Sequence, residues 1–223
     1  MGRMLGYMKR DYNFLKTHVP EIITEGDMKQ YAVSIVLPDT DNEEEILFEV
    51  RSDKIRQQPG DVCLPGGAVE PGETPETAVI REISEELMID KDQIEMIGPV
   101  HIFVAGLREL HVFLCRVKGY ENTFNSDEVA EVFRVPVSFF LKTEPAAYDV
   151  NWFPKLTDVF PFDKIYGGQD YVWRELTHRI LFYEYGNHVI WGITAGILSG
   201  FVKVMAGVSP KVIEGVSQRA LGE

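Results

Sequence analysis

Gly66 and Gly67 precede a run in which Glu82, Glu85 and Glu86 stand close together, and chemistry can be built from these residues first. Glutamates three or four apart on a helix repel one another by a few tenths of a kcal/mol per pair, so the cluster needs solvent or a counter-cation. Taken alone, "REISEE" reads as a solvated helix face. The glycines upstream open a second reading, because a sharp backbone turn exposes a carbonyl beside three hard carboxylate ligands. That donor set suits Mg2+ or Mn2+, ions that also share phosphate oxygens with a substrate. The net charge of −13 argues against a chain that grips nucleic acid through a basic surface. A small phosphate compound held through cations reconciles an acidic chain with an anionic ligand.

A helix has to carry the glutamates. Thr74 followed by Pro75 is a good start, since the hydroxyl can cap free amides and proline has none at the first helical position. At about 100° per residue, Val79, Ile80, Ile83 and Leu87 share one arc, and Glu82, Glu85 and Glu86 fall on its neighbour. One face packs and the next concentrates charge. Upstream, "YAVSIVLP" (31–38) and "EEILFEVRS" (44–52) read as a β-hairpin around "DTDNE", and "DVCLPGG" adds a short strand. Downstream, "IEMIGPVHIFVAGLRELHVFLCRVKGY" predicts two strands broken near Gly106 to Glu109, and "SDEVAEVFRVPVSFFLK" a strand flanked by short helical turns.

Residues 143–187, rich in Pro, Gly, Tyr and Trp, show no regular pattern, and 143–178 reads as an insertion. From His188, "HVIWGITAGILSGFVKVM" reads as a helix on the sheet, and "SPKVIEGVSQRAL" opens with a Ser cap and Pro at the first helical position. With 223 residues, 45% of them hydrophobic, the expectation is one α/β domain over 1–223. Cys63 and Cys115 form no disulfide or zinc pattern and sit in apolar runs, which fits a reducing cytoplasm. The N-terminus lacks the apolar core of a secretory signal, and the 14 residues from Val189 to Val202 fall short of the roughly 20 that span a bilayer. No membrane partner is expected, and a homodimer is left open.

From Gly67, five residues lead to Glu73, seven more lead to Arg81-Glu82, and "ISEELMI" follows. This pattern resembles the Nudix box, with Met88 where that box has glycine. The resemblance implies a Nudix α/β/α sandwich with a mixed β-sheet and metal-dependent cleavage of a diphosphate linked to a nucleoside. It further implies that Glu82, Glu85 and Glu86 bind the metal with the Gly67 carbonyl, while Glu73 and Arg81 pair to support the loop. One carboxylate among Glu82, Glu86 and Glu128 would orient or deprotonate the attacking water. Glu131 resembles a similar position, with Glu128 preferred.

The preceding stretch, "LFEVRSDKIRQQPGDVCLPGG", sets Arg51-Ser52, Arg56, Gly60 and Pro65-Gly66-Gly67 at spacings that look like the coenzyme A diphosphatase signature. Phe48 and Glu49 replace its Leu-Thr, and Leu64 replaces its Phe. By that resemblance Arg51, Ser52 and Arg56 contact substrate, and guanidinium groups suit the extra 3′-phosphate of coenzyme A. The competing enzyme reading is a Nudix diphosphatase for ADP-ribose or NADH; the competing non-enzyme reading is a Nudix-type ligand sensor. Trp191-Gly192 reads as helix packing rather than substrate stacking. His101, His111 and His178 have no partner at nucleophile–base spacing and read as structural or surface residues.

Overall fold

The computed structural model describes residues 26–207, within the compact unit Met28–Pro210. The helix expected over "SPKVIEGVSQRAL" and the N-terminal segment without a secretory signal lie outside the described residues. The expected hairpin forms: β1 (Lys29–Pro38) runs antiparallel to β2 (Glu45–Arg51), with Val36 opposite Leu47. The short β3 (Val62–Cys63) pairs with β2, and β4 (Gly66–Ala68) lies antiparallel on β1. After α1 (Pro75–Leu87), β5 (Ile94–Ala105) and β6 (Arg108–Val117) make a second hairpin whose turn is at Gly106, φ +60°. β6 runs parallel to β1 through ten residue pairs, Lys29↔Arg108 to Pro38↔Val117, so the sheet is mixed. β7 (Val129–Pro136) closes on β2, and α2 (Val137–Lys142) follows at once.

The strands alternate as a two-faced sheet requires. Ala32, Val36, Leu47, Phe113 and Cys115 turn to one side and pack on Ala78, Val79, Ile83 and Leu87 of α1. Ile35, Ile46, Phe48, Val112 and Val135 turn to the other side, against Phe140, Ile197, Leu198 and Phe201. Helices therefore cover both faces, and the α/β/α sandwich with a mixed sheet is observed.

Two expectations need correction. The 143–187 region is not devoid of regular structure: β8 (Ala146–Trp152), β9 (Leu176–Tyr185) and β10 (His188–Trp191) form a separate three-stranded antiparallel sheet. β8 is exposed along its whole length, so it lacks the apolar alternation by which a half-buried strand is recognised. The last helix, α3 (Gly192–Met205), starts four residues later than His188, because "HVIW" pairs with β9 instead. Gly192 at φ +63° turns that strand straight into the helix, a left-handed step that glycine makes without strain. Trp191 accordingly ends a strand, where it stacks on Phe182 with ring centroids 5.8 Å apart.

Candidate active site

α1 is fixed at both ends by its own sequence. Thr74 and Thr77 form a reciprocal capping box, and Pro75 stands at the first helical position. At the C-terminus Met88 adopts the left-handed conformation, φ 52° and ψ 50°, where the Nudix box has glycine. The orphan carbonyls there are claimed by the following loop: Thr123 Oγ1 donates to Leu87 O at 2.6 Å, and the Asn125 amide donates to Glu86 O at 2.8 Å. The loop then turns back through Glu128 N to Asn125 O, while the Ser52 amide donates to Glu128 O at 2.8 Å. Glu128 is thus tied both to the end of α1 and to the end of β2.

The three helix glutamates stand in three different environments. Glu86 is buried, and its Oε2 accepts the Gly66 amide at 2.8 Å, so the glycine loop and the helix are joined at this carboxylate. Burial, with Glu49, Glu82 and Glu128 close by, holds its carboxyl well above the usual range. Glu82 lies directly against Gly67: a Cβ on that glycine would stand 2.3 Å from Glu82 Oε1, so no side chain larger than hydrogen fits. Its carboxyl is also raised, by burial first. Glu85 is 59% exposed at the side chain and hydrogen-bonds Arg81 at 3.2 Å.

Arg81 holds these pieces together. Its Nε and Nη2 bond both oxygens of Glu73 at 3.0 and 3.1 Å, Nη1 reaches Glu82 at 2.8 Å, and Nη2 also reaches the Ala68 carbonyl. The planar guanidinium can bind this many acceptors at once, and lysine could not.

Glu82, Glu86, Glu128, Gly67 and Arg51 all line one cleft of about 1470 Å³, bordered on its far side by Trp152, Arg179 and Trp191. Of the three predicted substrate contacts, Arg51 alone lines this cleft; its Nε donates to Gln57 O at 3.1 Å. Ser52 is buried and outside the lining, where it anchors the loop of Glu128. Arg56 is exposed and outside the lining as well. Glu131 bonds His188 at 3.1 Å, which leaves Glu128 as the cleft-facing member of that pair.

Glu49 also belongs to the cleft, although its sequence position drew notice only as a departure from the signature. It is 1% exposed, and burial, reinforced by Glu128 and Glu82 against the pull of Arg51, pushes its carboxyl up to about 8. The signal was there: an acidic residue inside the apolar strand "ILFEVR" has to be compensated by something. Among the described residues no three His, Cys, Asp or Glu side chains already converge as a metal cage, since Arg81 and the Gly66 amide hold the helix carboxylates. The donor set nevertheless fits a hard divalent cation: the carboxylates are short of positive charge, and the Gly67–Glu82 contact leaves no room for another side chain.

The NUDIX domain family model matches residues 28–167. A mouse protein, peroxisomal coenzyme A diphosphatase NUDT7, is 37% identical over 102 residues, which are 43% of this chain and 42% of that protein. Nudix hydrolase 3 of Caenorhabditis elegans is 31% identical over 133 residues, 55% of this chain and 54% of that protein. The match thus spans about half the length of these two relatives. The uncharacterized Nudix hydrolase NudL of Citrobacter koseri is 30% identical over 168 residues, covering 74% of this chain and 77% of its own length.

Proposed function

The chain belongs to the NUDIX family, and from that premise we propose that it hydrolyses the diphosphate bond of coenzyme A or an acyl-coenzyme A. The products are 4′-phosphopantetheine, or its acyl form, and adenosine 3′,5′-bisphosphate. The observation that carries this reading is Arg51 on the wall of the cleft that also holds the acidic helix, at the spacing of the coenzyme A signature. Glu82, Glu85 and Glu86, with the Gly67 carbonyl, would hold Mg2+ or Mn2+. Bound there, the ion would polarise phosphoryl oxygens and neutralise charge on the leaving phosphate. Arg81 orients Glu82 and Glu85 and keeps the glycine loop on the helix. A carboxylate of Glu82, Glu86 or Glu128 accepts the proton of the water that attacks phosphorus. Arg51 takes phosphate oxygens of the nucleotide and so fixes which end of the substrate meets the helix. A cytoplasmic setting belongs to the same proposal, supported by two cysteines that are both free thiols.

One observation favours a second reading. Arg56 is away from the cleft lining, which leaves fewer cations for the 3′-phosphate and makes ADP-ribose or NADH the competing substrates. The test is kcat/KM for coenzyme A, dephospho-coenzyme A, ADP-ribose and NADH under one metal condition. A charge-assisted contact to the 3′-phosphate is worth about 1.5–3 kcal/mol, or roughly ten- to a hundredfold in the ratio of coenzyme A to dephospho-coenzyme A. Arg51→Ala should shrink that ratio. If ADP-ribose or NADH leads by tenfold, the coenzyme A reading fails and the family assignment stands.

A further inference from the structure

Glu49 stands in β2 with its backbone paired to Cys63 on β3 and to Val132 on β7. Its side chain shares the sheet face of Leu47, which packs in the α1 layer, and it lines the same cleft as Glu82, Glu86 and Glu128. Oε2 has the Cys63 thiol as a weak donor at 3.9 Å. Oε1 is buried and has no hydrogen-bond partner among the described residues. A buried carboxylate oxygen left without a partner is costly, and natural structures rarely keep one unless an ion, a water or a ligand completes it. The only cationic side chain acting on it is Arg51, outweighed by burial and by Glu128 and Glu82. The coenzyme A signature that this stretch resembles has threonine here, a residue that would bring no negative charge. The chain has therefore added a carboxylate to the floor of an already acidic site.

We propose that Glu49 supplies a further carboxylate ligand to the divalent cation of this cleft, alongside Glu86, with its unpartnered Oε1 as the donor atom. The proposal rests on the metal-dependent reading of the site. Hard divalent cations gain affinity with each added carboxylate. Such a ligand would explain how this strand tolerates an acid that its neighbours cannot neutralise.

The experiment uses full-length, metal-free protein and titrates Mn2+ in the absence of nucleotide, followed by calorimetry and by the loss of the free Mn2+ EPR signal. Glu49→Gln keeps the shape and removes the charge; Glu49→Asp keeps the charge and withdraws it by one methylene. The surface change Glu121→Gln controls for net charge. Expected are a Kd for Mn2+ weakened at least tenfold by Glu49→Gln, a smaller loss for Glu49→Asp, and no change for Glu121→Gln. The rise in melting temperature caused by saturating Mn2+ should shrink in Glu49→Gln to match, because ligand stabilisation follows affinity. An Mn2+ isotherm for Glu49→Gln that overlays wild type overturns the role of Glu49 and leaves the metal reading of the helix intact. So does unchanged Mn2+ affinity with a reduced kcat, which would make Glu49 a proton-handling residue. Wild-type protein that binds no Mn2+ removes both readings.

Discussion

Glu86 joins two functions that pull in opposite directions. As an acceptor for the Gly66 amide it closes the glycine loop on the helix, and as a buried acid among Glu49, Glu82 and Glu128 it carries a charge its surroundings oppose. Glutamine retains an oxygen for the amide and discards the charge. Glu86→Gln should therefore fold as well as wild type, with an equal or higher melting temperature in the absence of metal. Turnover should fall by about a hundredfold or more, since metal-borne charge stabilisation is worth several kcal/mol. A folded variant with a near-normal rate and unchanged metal dependence would remove Glu86 from the site. Glu85 is a weaker candidate by the same reasoning, because it is exposed and already satisfied by Arg81. The sequence put both on one arc and could not rank them; their ranking depends on how far each extends beneath the β4 loop, which helical periodicity does not encode.

At the scale of elements, α1 was legible because its start and its faces rest on local rules: a threonine cap, a proline and a 3.6-residue period. Its end was not, since Met88 contradicts the glycine that a left-handed stop favours. The helix stops there all the same, held by the Ile89 amide on Ser84 O and by the loop bonds to Leu87 and Glu86. Met88 is 65% exposed, so its side chain gains little from burial to offset the left-handed backbone. Met88→Gly should stabilise the protein by about 1 kcal/mol, seen as a melting midpoint raised by roughly 2–4 °C. A lower midpoint would mean that the methionine makes contacts that outweigh its strain. The β8–β9–β10 sheet was illegible for a different reason. β8 buries nothing, and β9 meets it only after a connection of more than twenty residues, so the pairing of Tyr148 with Ile180 or Asp149 with Arg179 has no local signature. Arg51 and Arg56 likewise share a motif, yet only the first stays beside the cleft, because β2 ends at Arg51 and the chain then turns through exposed residues.

For the whole molecule, the response to pH is set by buried groups of opposite sense on the two sides of the sheet. On the α1 side Glu49, Glu82 and Glu86 have raised carboxyls, so the folded state holds their protons more readily and acidification favours it. On the α3 side His101 has both ring nitrogens buried without partners, and Gly200 lies so close that a Cβ there would stand 2.8 Å from its Cε1. Burial lowers the pKa of this imidazole below 6.5, so the unfolded chain takes up the proton first. Its contribution is present above pH 6.5 and is lost as pH falls through the lower folded value. Because the carboxylates act in the other direction over the same range, the wild-type curve alone cannot isolate His101, and the informative quantity is a difference. His101→Leu should be the more stable protein at pH 7.5, having no buried nitrogen to leave unsatisfied. Its advantage in urea midpoint should then widen between pH 6.5 and 5, by at most about 1.4 kcal/mol per pH unit for one proton. An advantage that stays constant over that interval would show that His101 reaches solvent or a partner when protonated, and that the α3 side adds nothing to the acid response of the fold.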